Sequence, residues 1–372
     1  MVKMFRKITL MLLLFKACSM TIANDNLKWI DVRNDKKIVV DGLPWFKENQ
    51  NKFYRLPYLR KEIGELNSHA QKYLKCPSGA RVRFKTDSTI LKLKITHGMD
   101  SSSKLYLSTL SPISASGIDL YIGEPNAMSF WMTTEPMDPQ NEYEHLFFQD
   151  KPRKMRELTM YLPTYTELAE LKIGVDSNSV ISIPTSYKIK KPIVFYGTSI
   201  TQGGCADRGS NGYVPVIGRM LNADIVNLGF SSGGCGEEVM AQLMTEIDAS
   251  VYVVDCVANM DLKLMEQRYE KFVRILREKR PDIPVVLMTK IHFAKEIEPE
   301  IAEEYKSQHK PLFETFRKFK EQGDDKVYLF DSGSIILPGY DHPTADGVHL
   351  NDLGFKMVAD KLAPFLEKNI NN

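Results

Sequence analysis

The sequence predicts an α/β protein in two parts: an all-β sandwich or jelly roll, then a parallel five-stranded sheet with flanking helices. Three observations predict it. Short period-two segments separated by Pro, Gly, Asp and Ser fill residues 24 to about 188. From 189 to 372, short apolar runs alternate with helical patterns, the rhythm of right-handed βαβ units. The 372 residues are 43% hydrophobic and 26% charged, which excludes disorder, collagen and coiled coil for the whole chain and leaves room for two cores.

Residues 1–23 read as an address. Lys3, Arg6 and Lys7 precede an apolar run from Ile8 to Phe15, and Thr21-Ile22-Ala23 follows. This is the pattern of a secretory signal peptide, too short to span a bilayer. Lipidation at Cys18 fits less well, because Lys16 lies two residues before it. The expected mature protein is exported, periplasmic or secreted, with no integral membrane segment. The formal charge is +2, from 49 basic and 47 acidic residues. Four bases and no acid precede residue 24, so the rest carries two more acids than bases. That balance offers no bulk attraction to nucleic acid or anionic membrane.

In the β part, Arg81–Lys85 and Leu91–Ile95 alternate polar and apolar residues. Further short strands are expected at Lys104–Leu107, Gly117–Tyr121, Ser129–Met132, His145–Phe148, Glu157–Leu162, Glu170–Val175 and Val180–Ile183. Leu59–Tyr73 is the best helical stretch among them. In the second part the five buried-strand runs are Ile193–Tyr196, Asp224–Leu228, Val251–Asp255, Pro284–Met288 and Lys326–Phe330. Helical patterns at Tyr213–Leu221, Glu237–Ile247, Leu262–Lys279, Ala302–Glu321 and Leu353–Lys368 separate and follow them.

Parallel sheets of this kind place ligands at the carboxyl ends of their strands. After the first strand comes Gly197-Thr198-Ser199-Ile200-Thr201-Gln202-Gly203-Gly204. A serine at a tight strand-to-helix turn offers an exposed hydroxyl and its own free N–H, which suits a nucleophile. A helix-capping serine or an anion-cradling loop fits the segment alone as well. No Gly-Lys-Ser/Thr is present, and G-x-S-x-T is not the G-x-S-x-G elbow of α/β-hydrolases. Gly229-Phe230-Ser231-Ser232-Gly233-Gly234 follows the second strand and can bring backbone N–H groups close to a ligand. Asn259 follows the third and can donate an amide N–H, or simply cap a turn.

Asp346 and His349 stand three residues apart past the fifth strand. In a helical start or tight turn that spacing sets the carboxylate beside the imidazole, leaving the other nitrogen to take a serine proton. A metal reading rests on Asp341, His342, Asp346 and His349, but no third ligand source, H-E-x-x-H or Cys-x-x-Cys supports it. No metal and no cofactor are therefore expected.

Together these blocks resemble the SGNH (GDSL-type) hydrolase superfamily. Gly197-Thr198-Ser199-Ile200 stands for its nucleophile block, Asn259 for the oxyanion asparagine, and Asp346-Gly347-Val348-His349 for the Asp-x-x-His block. Gly117-Ile118-Asp119-Leu120-Tyr121 matches the Gly-x-Asp-Leu-Tyr motif of a bacterial subgroup with an N-terminal β domain. The resemblance implies a flavodoxin-like catalytic domain at 189–372, a β-sandwich at 24–188, and a serine esterase. Ser199 would be the nucleophile, His349 the base and Asp346 its orienting partner. The backbone N–H of Ser199, that of Ser232 or Gly233, and the Asn259 amide would hold the oxyanion. Two departures stand out: Thr198 replaces the usual Asp, and the second block reads Ser231-Ser232 where the family has Ser-Gly.

By analogy with such relatives, the expected substrate is an O-acyl, above all O-acetyl, group on a poly- or oligosaccharide. Lipid or aryl esters, a catalytically silent glycan-binding protein and a metal phosphoesterase are the alternatives. Trp29, Trp45 and Trp131 all lie in the β part and are expected as core anchors rather than sugar platforms. Cys205 and Cys235 follow two site loops by a few residues, as a bracing disulfide or as two separate buried thiols.

Overall fold

The computed structural model describes residues 27–98, 109–136 and 141–370. The signal-like segment 1–23 and the strand expected at Lys104–Leu107 lie outside the described residues.

Among the described residues, ten strands form the first part: β1 (Leu27–Asp31), β2 (Val39–Asp41), β3 (Arg81–Thr86), β4 (Leu91–His97), β5 (Asp119–Ile122), β6 (Ser129–Thr133), β7 (Glu142–Phe148), β8 (Arg156–Tyr161), β9 (Leu168–Asp176) and β10 (Ile181–Ser182). They make two antiparallel sheets, β1-β9-β4-β7 and β10-β3-β8-β5-β6, with β2 also on β3. The alternation in β4 turns Leu91, Leu93 and Ile95 inward and leaves Lys92 and Lys94 half-exposed. Those side chains meet Val82, Phe84, Leu120, Leu158 and Met160 of the opposing sheet in one core, so the two sheets form a sandwich.

The polar face of β3 departs from simple alternation. Arg81 and Arg83 are buried: Arg81 faces the second part, whereas Arg83 is enclosed by residues of the first part. Arg81 donates to the carbonyl of Ile225 (2.9 Å) and pairs with Asp224; Arg83 pairs with Asp41 and Glu157 and lies 3.9 Å from the Tyr187 ring centroid. Buried arginines are tolerable only with such partners.

The second part has five parallel strands: β11 (Ile189–Gly197), β12 (Ala223–Gly229), β13 (Val251–Asp255), β14 (Val285–Met288) and β15 (Val327–Phe330). Their order, β12-β11-β13-β14-β15, is the flavodoxin-like one. Helices α5 (Glu238–Thr245), α6 (Leu262–Lys279) and α7 (Pro299–Glu321) cover one face through residues such as Met240, Phe272 and Leu312. Helices α4 (Tyr213–Leu221) and α8 (Asp352–Ile370) cover the other through Ile217, Phe355 and Leu362. Shorter helices are α1 (Ser68–Tyr73), α2 (Pro112–Ser116) and α3 (Ser199–Gln202).

The single helix expected over Leu59–Tyr73 is instead a 3₁₀ turn, Lys61–Glu65, followed by α1. Asn67 breaks it. Its side-chain oxygen caps α1 by accepting from the N–H groups of His69 and Ala70, while its amide donates to Gly233 O (2.9 Å) and Glu237 (2.6 Å). This segment also leaves the sandwich: Trp45, Leu56, Ile63, Leu66, Ala70 and Tyr73 share a core with α5 and α6.

The Gly-x-Asp-Leu-Tyr segment fastens the two parts. Leu120 sits in the sandwich core, while Asp119 accepts from the Ser210 N–H (2.8 Å) and Tyr121 OH meets Ser210 Oγ (3.1 Å). Ser210 lies in the loop after α3. Asp119→Ala strands that buried N–H, so it is expected to lower stability by about 1–3 kcal/mol in urea unfolding. An unchanged midpoint would refute this clamp.

Candidate active site

Every site element lies at the carboxyl edge of the parallel sheet. The β11–α3 turn is tight because Gly197 admits no side chain: a Cβ there would collide with Thr201 Oγ1 and the Asp255 carbonyl. Thr198 caps α3, its hydroxyl accepting from Ile200 N–H (3.3 Å), while its own N–H donates to Thr201 Oγ1 (3.3 Å). A hydroxyl thus does the capping that the usual Asp would do. Gly203, at φ +102°, ends the helix after a single turn. Ser199 is left at the first helical position, where a backbone N–H has no intrahelical acceptor.

Beneath this turn lies Asp255, which is buried. It accepts from Thr201 Oγ1 (3.0 Å) and Tyr213 OH (2.8 Å). Burial pushes its carboxyl up to about 7, although both hydroxyl donors favour the anion.

Asp346 and His349 lie in a turn closed by an antiparallel bridge, Thr344 to Leu350, with Gly347 at φ +83°. The Ala294 N–H donates to Gly347 O (2.8 Å) and holds this turn against the loop after β14. The His349 Nε2 is 2.9 Å from Ser199 Oγ, and Nδ1 is 2.8 Å from Asp346 Oδ2. The other Asp346 oxygen accepts from the N–H groups of Val348 (3.0 Å) and His349 (2.7 Å). Burial acts to raise the Asp346 carboxyl, but these bonds to His349 and Val348 outweigh it and hold it below the usual range. The sequence-adjacent Asp341 and His342 are exposed and do not join this group.

The glycine-rich loop after β12 distinguishes the two expected backbone donors. The Gly233 N–H donates to Phe230 O (2.8 Å), as does that of Gly234 (3.1 Å). The N–H groups of Ser199 and Ser232 are engaged by no acceptor among the described residues. Ser232 sits at φ +55°, the left-handed conformation where the family has glycine. Asn259 ends a 3₁₀ turn, Val257–Asn259, and its amide gives a long bond to Phe230 O (3.4 Å), leaving its second hydrogen unused.

Several residues outside the expected site set hold it together. Gln202 accepts from Ser231 N–H (2.8 Å) and donates to Thr164 O (2.9 Å), tying α3, the glycine-rich loop and the sandwich together. Asn227 donates to Thr201 O (2.8 Å) and accepts from Gly229 N–H (2.8 Å). Arg55 is fully buried, donates to the carbonyls of Asn227, Gly229 and Tyr73, and lies 4.3 Å from the Phe230 ring centroid. Burial lowers its guanidinium to about 10.

The cysteines and tryptophans refine the expectations. The four described cysteines are free, and Cys205 and Cys235 have separate partners. Cys205 Sγ lies 2.7 Å from Thr109 Oγ1; Cys235 faces the carbonyls of Ser232 (3.6 Å) and Asn259 (3.8 Å). Trp45 is a core anchor with its Nε1–H on Glu246 (3.0 Å). Trp29 and Trp131 are not: each lies on an outer face under a lysine, Lys94 at 4.2 Å and Lys151 at 4.3 Å. Ile30 takes the core position next to Trp29, and Met132, next to Trp131, packs on the edge of the same core, which leaves both rings on the other face.

Residues 190–367 match the GDSL-like lipase/acylhydrolase family, and residues 27–181 match the N-terminus of SGNH-hydrolase-type esterases. The chain belongs to this family. Membership makes it a carboxylic ester hydrolase. It is similar to a Bacteroides ovatus protein described as a GDSL-like lipase, with 25% identity and TM-score 0.83 over 93% of this chain and 98% of that one. It shares its fold with the salicylyl-acyltransferase SsfX3 of a tetracycline biosynthetic pathway (18%, TM-score 0.74, 93% and 99% covered). It shares it also with the acetyl xylan esterase Est2A of Butyrivibrio proteoclasticus (13%, TM-score 0.57, 93% and 99% covered). No curated protein matches the chain by sequence.

Proposed function

We propose that this GDSL-family protein is an exported serine esterase that removes O-acyl, chiefly O-acetyl, groups from poly- or oligosaccharides. The observation that carries the reading is the unbroken chain Ser199 Oγ to His349 Nε2 (2.9 Å) and His349 Nδ1 to Asp346 (2.8 Å). In this reading Ser199 Oγ attacks the ester carbonyl carbon and its proton passes to His349 Nε2. The tetrahedral oxyanion is received by the N–H groups of Ser199 and Ser232 and the Asn259 amide. Its collapse breaks the bond to the sugar oxygen, which takes the proton from His349. Water, deprotonated by His349, then attacks the acyl-enzyme and releases the acid and Ser199. Asp346 holds the imidazole in the tautomer that presents a bare Nε2 to serine.

The carbohydrate substrate is supported by the full-length likeness to an acetyl xylan esterase, sandwich included. Export is supported by the N-terminal pattern; among the described residues no helix is long and apolar enough to cross a membrane. The test compares release of acetate from acetylated xylan with hydrolysis of 4-nitrophenyl acetate and a lipid ester. A preference for the glycan supports the proposal; turnover of the lipid ester alone would overturn the substrate assignment. A second reading, transfer of the acyl group to an alcohol acceptor, is favoured by the likeness to an acyltransferase. It predicts an acyl-acceptor product when an alcohol competes with water.

The Ser232 donor is open to a direct check. A backbone N–H serves whatever the side chain, so Ser232→Gly is expected to keep kcat/KM within about twofold. It relieves a left-handed conformation costing about 1–2 kcal/mol but adds unfolded-state entropy of about 0.5–1 kcal/mol. The net stability change should lie between zero and about 1.5 kcal/mol of gain. A tenfold loss of kcat/KM would mean that the hydroxyl itself is needed.

A further inference from the structure

Cys205 stands beside the catalytic pair without taking part in it. It follows Gly203-Gly204 after α3, is 5% exposed, and holds φ +72°, a conformation rare outside glycine. That backbone turn aims the side chain back toward the site: one ligand atom each of Cys205, Asp346 and His349 lie within 4.8 Å of one another. Thiolate, imidazole and carboxylate together form a borderline-soft donor set suited to zinc, which commonly takes three protein ligands and one open position. With metal–ligand bonds of about 2.0–2.3 Å, tetrahedral ligand atoms stand about 3.5 Å apart. Side-chain rotation of about 1 Å therefore closes the set. The Asp346 side chain is 32% exposed, so an ion can approach from water although the thiol is buried.

We propose that Cys205, Asp346 and His349 form an inhibitory site for a divalent cation of the zinc class. The inhibitory consequence rests on the reading of Ser199, His349 and Asp346 as the catalytic relay. On binding, the Cys205 thiol proton leaves to water and a sulfur–metal bond replaces it, with no change of oxidation state. Asp346 and His349 turn from each other to the ion. His349 then has no oriented nitrogen for the Ser199 proton, and turnover stops until the ion is removed.

The experiment titrates zinc chloride, after chelator treatment under reducing conditions, against 4-nitrophenyl acetate hydrolysis by the mature protein. Each variant is read as a fraction of its own metal-free rate. The expected result is inhibition reversed by chelator, with a midpoint at least about tenfold higher in Cys205→Ser and Cys205→Ala, and unshifted in Cys235→Ser. In parallel, cobalt(II) is added and the thiolate-to-cobalt charge-transfer absorption is recorded. The band should appear in the native protein and in Ser199→Ala, and vanish in both Cys205 variants. Equal zinc sensitivity with and without Cys205, or no cobalt–thiolate band in the native protein, would overturn the site. The cobalt band reads the site even if the protein turns over no ester, so failure of the esterase reading is told apart from failure of this one.

Discussion

Ser199→Ala is expected to lower kcat by about six orders of magnitude while leaving the fold intact. The size follows from mutational behaviour of other Ser-His-Asp enzymes, where loss of the nucleophile costs about 10⁶ in kcat because the remaining groups then act on nothing. Structural tolerance follows from the local geometry. The Ser199 hydroxyl bonds to His349 Nε2, whereas α3 is held by Thr198, Thr201 and Gly203. Alanine is the best helix former and fits the first helical position, so the unfolding midpoint should shift by less than about 1 kcal/mol. Hydrolysis of 4-nitrophenyl acetate beside a urea melt separates the two effects. Wild-type activity in the variant would remove Ser199 from the role of nucleophile; a collapsed melt would make the activity loss uninformative and call for Ser199→Gly.

The architecture was legible because its signals are local. Strand runs such as Val251–Asp255 and helices such as Leu262–Lys279 coincide with their sequence ranges, since period and length alone decide them. The placement of Ser199, Asn259, Asp346 and His349 on one edge followed from the parallel topology, and the structure brings Ser199, His349 and Asp346 into contact. What could not be read were pairings between distant segments. Arg81 and Arg83 looked like the wet side of a strand, but the second part covers Arg81, and Asp41, Glu157 and Tyr187 enclose Arg83. Arg55 and Gln202 act through carbonyls and amides of residues far along the chain, and no spacing rule encodes such partners. Ser232 is intermediate: the missing glycine was visible, whereas the engaged N–H of Gly233, which favours Ser232 as the donor, needed coordinates.

The second large effect concerns Asp255, whose buried carboxyl titrates near 7 against 3.8 for the free side chain. Its folded-state value is raised, so between these two pH values the native state binds the extra proton. Stability from this group is fully present below about pH 4 and is lost as pH rises through about 7. A difference of about three units corresponds to roughly 4 kcal/mol when the loss is complete. Asp255→Asn carries a neutral amide of the same shape into the pocket, where Thr201 and Tyr213 hydroxyls can reorient to meet it. Urea unfolding between pH 5 and 9 should therefore show the native protein losing stability relative to Asp255→Asn, with the variant the more stable above pH 8. The same carboxylate sits under the Ser199 turn, so the native kcat should fall as pH rises through about 7, where Asp255 ionises in the folded state, and the variant's should not. Parallel stability curves for the two proteins would show that Asp255 is ionised throughout and that its hydroxyl partners, rather than its proton, make its burial tolerable.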